Sequence, residues 1–394
     1  MKIIRVAEYV HPDLGSISAN EYSICKALAA RGHKVTVFSS DIAPSRDEIN
    51  LSWNELQLTT NPRIVLCKAL INLGGDMPIM PDLGWKLRSA DADIIHAHEY
   101  YNYTSLTAFL VASKSRVSFT YTQDRYYQIN RPFWRVPFLV ANSTILKMIR
   151  ERPRLVTALS TAASRFLIAQ GYPRNRISVI PMGVDVEKFR PLNQEEAREY
   201  LGTRDAPTVL TIARLHPSKN VSSLIQAMTI VKRSVTNAKL VIAGRGRLID
   251  RLRREAYNLG LRDVVFFTKR VPDDEVPLIY NACDVFVLPS LYEPFGLVVL
   301  EAMSCGKPVV VASVGGMQDT VRENRNGFKV PLTDTKGFVR TLASKILALL
   351  QHADLRDKFG EAGRQIACVS YTFKAIAEKY ETFYERFLQE SSGR

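Results

Sequence analysis

The sequence contains no run of about 18 uncharged apolar residues, the least that crosses a bilayer as a helix. That argues against a transmembrane helix. Its five cysteines, Cys25, Cys67, Cys283, Cys305 and Cys368, are scattered and odd in number. None forms a C-x-x-C, so neither a disulfide framework nor a zinc site is indicated. A P-loop is also missing, because Gly306-Lys307 runs into Pro308 and not into Ser or Thr. Lys2, Arg5 and Glu8 put charges inside any signal-peptide core, so the N-terminus reads as a first strand. A reducing cytoplasm is the simplest compartment for such a chain. Negative charge is the scarce sign: 39 Asp+Glu face 53 Lys+Arg, a net of +14. The surplus suggests an anionic partner: nucleic acid, a phosphate-bearing ligand or an acidic membrane.

What is present is globular: 394 residues, 46% hydrophobic and 23% charged, enough for two domains with a core each. Short β-branched runs alternate with helical patterns. Strands are expected at 3–10, 35–38, 93–97, 117–122, 155–160 and 178–180, then at 208–212, 239–243, 264–267, 284–288 and 308–312. Helices are expected at 20–30, 221–234, 248–259, 296–304 and 337–350, and an aromatic-rich amphipathic helix closes the chain at 373–389. This alternation argues α/β, with two doubly wound Rossmann-like domains and a boundary in 181–201. The expected domains are 1–185 and 186–370, followed by a helical tail, 371–394. Ligands of open α/β sheets bind beyond the carboxyl ends of the strands, so two such domains facing each other would share one cleft.

The most informative loop reads Ser290-Leu291-Tyr292-Glu293-Pro294-Phe295-Gly296-Leu297, after a strand and before a helix. Pro294 suits a helix start and Gly296 lets backbone approach a ligand. The free N–H groups of Phe295, Gly296 and Leu297 would form an anion or hydroxyl site. Glu301 lies two turns on among apolar residues, where a carboxylate is costly without a partner. Residues 213–219 follow another strand. There Arg214 could grip phosphate oxygens as a fork and Lys219 act as a point charge.

Two glutamates separated by seven residues, with Pro-Phe-Gly-Leu after the first, resemble the E-x7-E motif of retaining glycosyltransferases of the GT-B fold. The similarity is to glycosyltransferase family 4. The resemblance implies that Glu293 lies near the donor sugar, that Glu301 holds the ribose, and that Phe295–Leu297 backbone meets sugar and diphosphate. It implies that Arg214 and Lys219 neutralise the leaving diphosphate, although Ala213 and Asn220 stand where the family has glycines. Gly244 matches the family's G-x-G loop below the nucleotide, and Val271 the backbone that reads the base. Val314-Gly315-Gly316 resembles the Gly-Gly turn, with Asp319 replacing the usual Glu.

The first half matches less closely. Gly15 permits close backbone approach, but Ser16 replaces the family's second glycine. Ile94-Ile95-His96-Ala97-His98 resembles the D-x-x-H-x-H segment, and strand alternation puts both histidines on one face. His96 reads as a buried, hydrogen-bonded histidine and His98 as a cleft candidate. After the next strand many relatives have Thr-x-His. Here Thr122 or Asp124 takes that place, according to register, and no histidine does. Asp91-Ala92-Asp93 mimics a D-x-D metal motif but precedes its strand, at the wrong end for a ligand.

Residues 125–176 carry ten Lys/Arg against Glu151 alone, nine of the fourteen surplus charges. Within them, 138–150 reads as an amphipathic helix with Phe138, Leu139, Ile145, Leu146 and Ile149 on one face and Ser143, Lys147 and Arg150 opposite. Such a segment suits an anionic lipid surface as well as it suits packing on its own sheet. No nucleic-acid-binding module is recognisable.

The expected function is therefore retaining, hexosyltransferase-type transfer from a nucleoside-diphosphate sugar, with no metal or other cofactor. The expected acceptor is a membrane-associated glycolipid, polyisoprenoid-linked glycan or polysaccharide precursor. The expected location is cytoplasmic, with 125–176 as a candidate for peripheral contact with the cytoplasmic face of the membrane. The alternatives are a non-catalytic nucleotide-sugar-binding subunit and, further off, a nucleotide-sugar epimerase.

Overall fold

The computed structural model describes residues 1–11, 15–42, 60–73, 77–125, 143–268 and 271–392. Its contacts divide the chain into two units. The first is Met1–Gly183 with Phe373–Arg394, and the second is Val184–Thr372.

In the first unit, seven parallel strands form one sheet. They are β1 (Lys2–Val6), β2 (Lys34–Ser40), β3 (Arg63–Cys67), β6 (Ile94–His98), β7 (Ser118–Gln123), β8 (Val156–Ala158) and β9 (Ile177–Val179). Between β3 and β6 lies an antiparallel pair, β4 (Ile71–Leu73) and β5 (Met77–Ile79). The sheet order is β3-β2-β1-β6-β7-β8-β9, so the direction of winding reverses between β1 and β6. Alternation sorts the strand side chains. Ile4 and Ile95 enter a core with helices Leu83–Arg88, Tyr103–Ser115, Ile145–Glu151 and Thr161–Ala169. Ile3 and Ile94 enter the opposite core with helices Gly15–Ala30 and Phe373–Ser392. The closing helix thus crosses back to this unit. It buries Ile376, Tyr380, Phe383, Tyr384 and Phe387 there.

In the second unit, β10 (Thr208–Ile212), β11 (Lys239–Ala243), β12 (Val265–Phe267), β13 (Val285–Leu288), β14 (Val309–Ala312) and β15 (Gly327–Val330) form a parallel sheet. Its order is β12-β11-β10-β13-β14-β15, the Rossmann order, and its switch point lies between β10 and β13. Helix ends are capped by their own sequence: Asn193 accepts from Glu195 N–H, and Asp334 accepts from Gly337 N–H at 2.8 Å.

Three expectations need correction. β1 stops at Val6, and beyond it Val10 N–H donates to the Ser39 hydroxyl (2.9 Å) and not to a strand carbonyl. The edge strands β3 and β15 and the helix Ala353–Ser370 were not expected. Arg150 is not on a solvated helix face. It is buried, 5.9 Å from the centre of the Tyr100 ring and bonded to Glu151 at 3.2 Å. Residues 138–142 of the expected amphipathic helix, Phe138 and Leu139 among them, lie outside the described residues. Among the described residues no helix is long and apolar enough to cross a membrane.

Candidate functional site

The switch point of the second sheet gathers the sequence-predicted donor residues. The loop after β10 ends in the short 3-10 turn Pro217–Lys219, and Leu291 N–H donates to Ser218 C=O at 2.8 Å, lacing it to the loop after β13. There the Lys219 ammonium binds the Glu293 carboxylate. Glu293 is buried and also lies 3.3 Å from the Ser290 hydroxyl. Sequence reading missed Ser290, although it stands in the quoted motif. Arg214 is exposed and has no ion pair among the described residues.

Gly296 is left-handed (φ 92°) and stands at the N-cap of helix Leu297–Ser304. A left-handed residue followed by helix turns successive N–H groups the same way, which makes an anion-binding nest. The N–H groups of Phe295, Gly296 and Leu297 have no protein acceptor among the described residues. The next loop braces this one: Gly316 N–H donates to Pro294 C=O at 3.1 Å. The Phe295 ring is buried, 6.4 Å from the Tyr371 ring, so its backbone and not its side chain is the available group. Asp319 is exposed on the short helix Met317–Thr320.

Glu301 has the partner its apolar neighbours demand. Tyr280 Oη donates to Glu301 Oε2 at 2.6 Å. Burial pushes the Glu301 carboxyl up to about 6, against the lowering effect of that hydrogen bond and of Lys188. Tyr280, on helix Val276–Ala282, had no local signal in the sequence.

Gly244 (φ 150°) does a different job from a simple phosphate loop. A Cβ there would sit 1.9 Å from Ala213 C=O. The missing side chain lets the loops after β10 and β11 touch, as the 2.6 Å bond from Leu215 N–H to Arg245 C=O records. Val271 is half-buried just after β12, while Lys269 and Arg270 lie outside the described residues.

The first sheet's switch point holds a separate polar cluster. Arg5, fully buried in β1, grips both Glu21 oxygens and donates to Tyr384 Oη at 2.9 Å. His98 Nδ1 lies 3.0 Å from Asp124 and its Nε2 3.3 Å from Glu21. Burial would depress His98, but the Asp124 and Glu21 carboxylates outweigh it and raise it well above the ordinary histidine value. His96 is bonded at both nitrogens, to Tyr384 Oη (2.8 Å) and Thr122 Oγ1 (2.7 Å). Burial and Arg5 depress it well below the usual range, so it is a neutral structural histidine. Thr122 is buried behind it, bonded onward to Thr157 at 2.6 Å, and so is closed to ligand. His98 and Asp124 remain, partly exposed. Gly15 and Ser16 begin helix Gly15–Ala30, next to residues outside the description. The Asp91 and Asp93 carboxylates both bind Lys2, to its ammonium and to its N–H (2.7 Å) respectively. They tie the sheet's starting edge together.

Two Rossmann-like α/β units, each with its own parallel sheet, define a GT-B architecture. Two family models account for most of the chain: residues 22–188 match Glycosyltransferase Family 4 and residues 193–366 match Glycosyl transferases group 1. The chain belongs to this glycosyltransferase family. It is 33% identical over 250 residues to a GDP-mannose-dependent alpha-(1-6)-phosphatidylinositol monomannoside mannosyltransferase of Mycobacterium tuberculosis, covering 61% of this chain and 64% of that one. It is 33% identical over 254 residues to D-inositol 3-phosphate glycosyltransferase 2 of Catenulispora acidiphila, covering 62% and 58%. The chain thus spans less than two thirds of the length of these curated relatives. The solved structure of Anabaena HepE in complex with UDP shares the fold: its TM-score is 0.78 at 20% identity, over 98% of this chain and 100% of that one.

Proposed function

We propose that the protein is a retaining glycosyltransferase that moves a sugar from a nucleoside-diphosphate donor to an acceptor hydroxyl. The observation that carries this reading is the Lys219–Glu293 pair beside the open N–H groups of Phe295, Gly296 and Leu297, at the switch point of a Rossmann sheet. A diphosphate needs cations and oriented N–H groups, and both are there.

Pairing with Glu293 compensates the Lys219 ammonium before the donor arrives. The diphosphate would compete for that ammonium and leave the Glu293 carboxylate facing the sugar. Exposed Arg214 would supply the second cation. As the glycosidic bond breaks, charge grows on the leaving diphosphate, and cations already in place lower the barrier. Glu301, aimed by Tyr280, would accept from the ribose hydroxyls. Val271 backbone would meet the base, and Gly244 would underlie the diphosphate. Gly15 and Ser16 would border the donor sugar. His98 and Asp124 are the acceptor-side candidates. In this scheme fixed cations do the work, and no step requires a metal.

The name of the mycobacterial relative supports a glycolipid acceptor, and that of the Catenulispora relative a phosphorylated inositol. The test is to incubate the purified protein with UDP-, GDP- and ADP-sugars plus a membrane lipid extract, and to identify products by mass. The expected result is a glycosylated product that disappears in Glu293→Ala while the variant stays folded. Donor binding with neither transfer nor hydrolysis for any sugar would overturn it in favour of a non-catalytic nucleotide-sugar-binding subunit.

A further inference from the structure

The two helical layers on the first unit's sheet differ in surface character. Helices Leu83–Arg88, Tyr103–Ser115, Ile145–Glu151 and Thr161–Ala169 share one core and so form one layer. Each presents one large apolar side chain outward. Trp85, Leu110, Met148 and Ile168 are 38–60% exposed. Each of these has an exposed cation near it in its helix: Arg88 and Arg165 three residues away and Lys114 four, all on the same side, and Lys147 the residue before Met148. The four helices contain one acid, Glu151, and Arg150 holds it at 3.2 Å.

The opposite layer, helices Gly15–Ala30 and Phe373–Ser392, shows no large exposed apolar side chain among the described residues. It carries five Glu against four Lys/Arg. The basic, apolar-studded surface is therefore a property of one face and not of the whole unit.

We infer that this face docks the protein on an anionic lipid bilayer. The apolar groups stand one per helix and do not gather into a pocket, as entry into the headgroup boundary of a plane requires. A cation beside each would meet lipid phosphates. An acidic protein surface would satisfy the cations but leave four separate apolar side chains without seats. This inference names the surface through which a lipid-linked acceptor would be reached. It is independent of the transfer chemistry, and its readout uses neither donor nor acceptor.

The test is flotation of the full chain with phosphatidylcholine vesicles, with and without phosphatidylglycerol. Binding is expected only to the anionic vesicles and is expected to fall at high salt. Lys114→Glu with Lys147→Glu should weaken it roughly tenfold or more, at about 1 kcal/mol per surface charge. Leu110→Ser with Met148→Ser should weaken it at constant charge. Lys26→Glu with Lys374→Glu, on the opposite layer, should leave it unchanged. Thermal unfolding checks that each variant folds. No binding to anionic vesicles at low salt, or equal loss in the opposite-layer pair, would overturn the inference.

Discussion

The Lys219 ammonium and the Glu293 carboxylate meet across the switch point of the second sheet, although 74 residues separate them in sequence. Only the Rossmann order, which seats β13 beside β10, brings their loops together. The pair is at once a structural tie and the charge that a diphosphate would compete for.

Lys219→Ala should therefore slow transfer by about 10²–10³-fold, the usual loss when one preplaced group is taken from a developing anion. Single-turnover rates at saturating donor measure it. An unchanged rate would mean that Lys219 only braces the loops.

Glu301 gives a pH signature. Its carboxyl is raised to about 6 by burial, so it takes up a proton as pH falls through that value. If the ionised form accepts from the ribose, donor affinity should drop below pH 6. Tyr280→Phe removes the hydrogen bond that favours the carboxylate, so the midpoint should move upward. Titration calorimetry of a nucleoside diphosphate at several pH values reads both. A pH-independent affinity would remove Glu301 from the ribose.

The Arg5–Glu21 pair should dominate the acid stability of the first unit. Arg5 holds Glu21 far below the ordinary carboxylate range, despite burial. That stability is complete above the unfolded carboxylate's value and is lost as pH falls toward the depressed folded one. Glu21→Gln leaves a buried guanidinium with half its partner. It should cost about 3–5 kcal/mol at neutral pH and flatten the acid slope. Urea unfolding at pH 7 and pH 4 checks both.

Gly244→Ala forces a Cβ into Ala213 C=O and strains a left-handed backbone. A loss of at least about 1–3 kcal/mol is expected, with weaker donor binding, because the loop after β10 must shift. Differential scanning calorimetry with nucleotide titration separates the two effects.

How much of this could be read from sequence follows the range of the interactions. β10, β11 and helix Val221–Ser234 have the expected bounds, because apolar runs and an amphipathic period are local signals. β15 was missed because Gly327 and Lys329 interrupt its apolar pattern. The E-x7-E loop was legible as chemistry, yet its partners were not. Tyr280 reaches Glu301 from another helix, and Tyr384 reaches Arg5 across 379 residues. Arg5 inside the apolar run of β1, and the two histidines on one face of β6, were the available signs of that second cluster. The choice between Asp124 and Thr122 stayed open for want of register. Paired with His98 across β6 and β7, Thr122 points to His96 and not outward.

The proposed transfer with retention at the Glu293–Lys219 site is tested most directly by the proton NMR spectrum of the product formed from an α-linked nucleoside-diphosphate sugar. The wild-type protein should give an α-anomeric product and Glu293→Ala none. A β-anomeric product would contradict retention at this site.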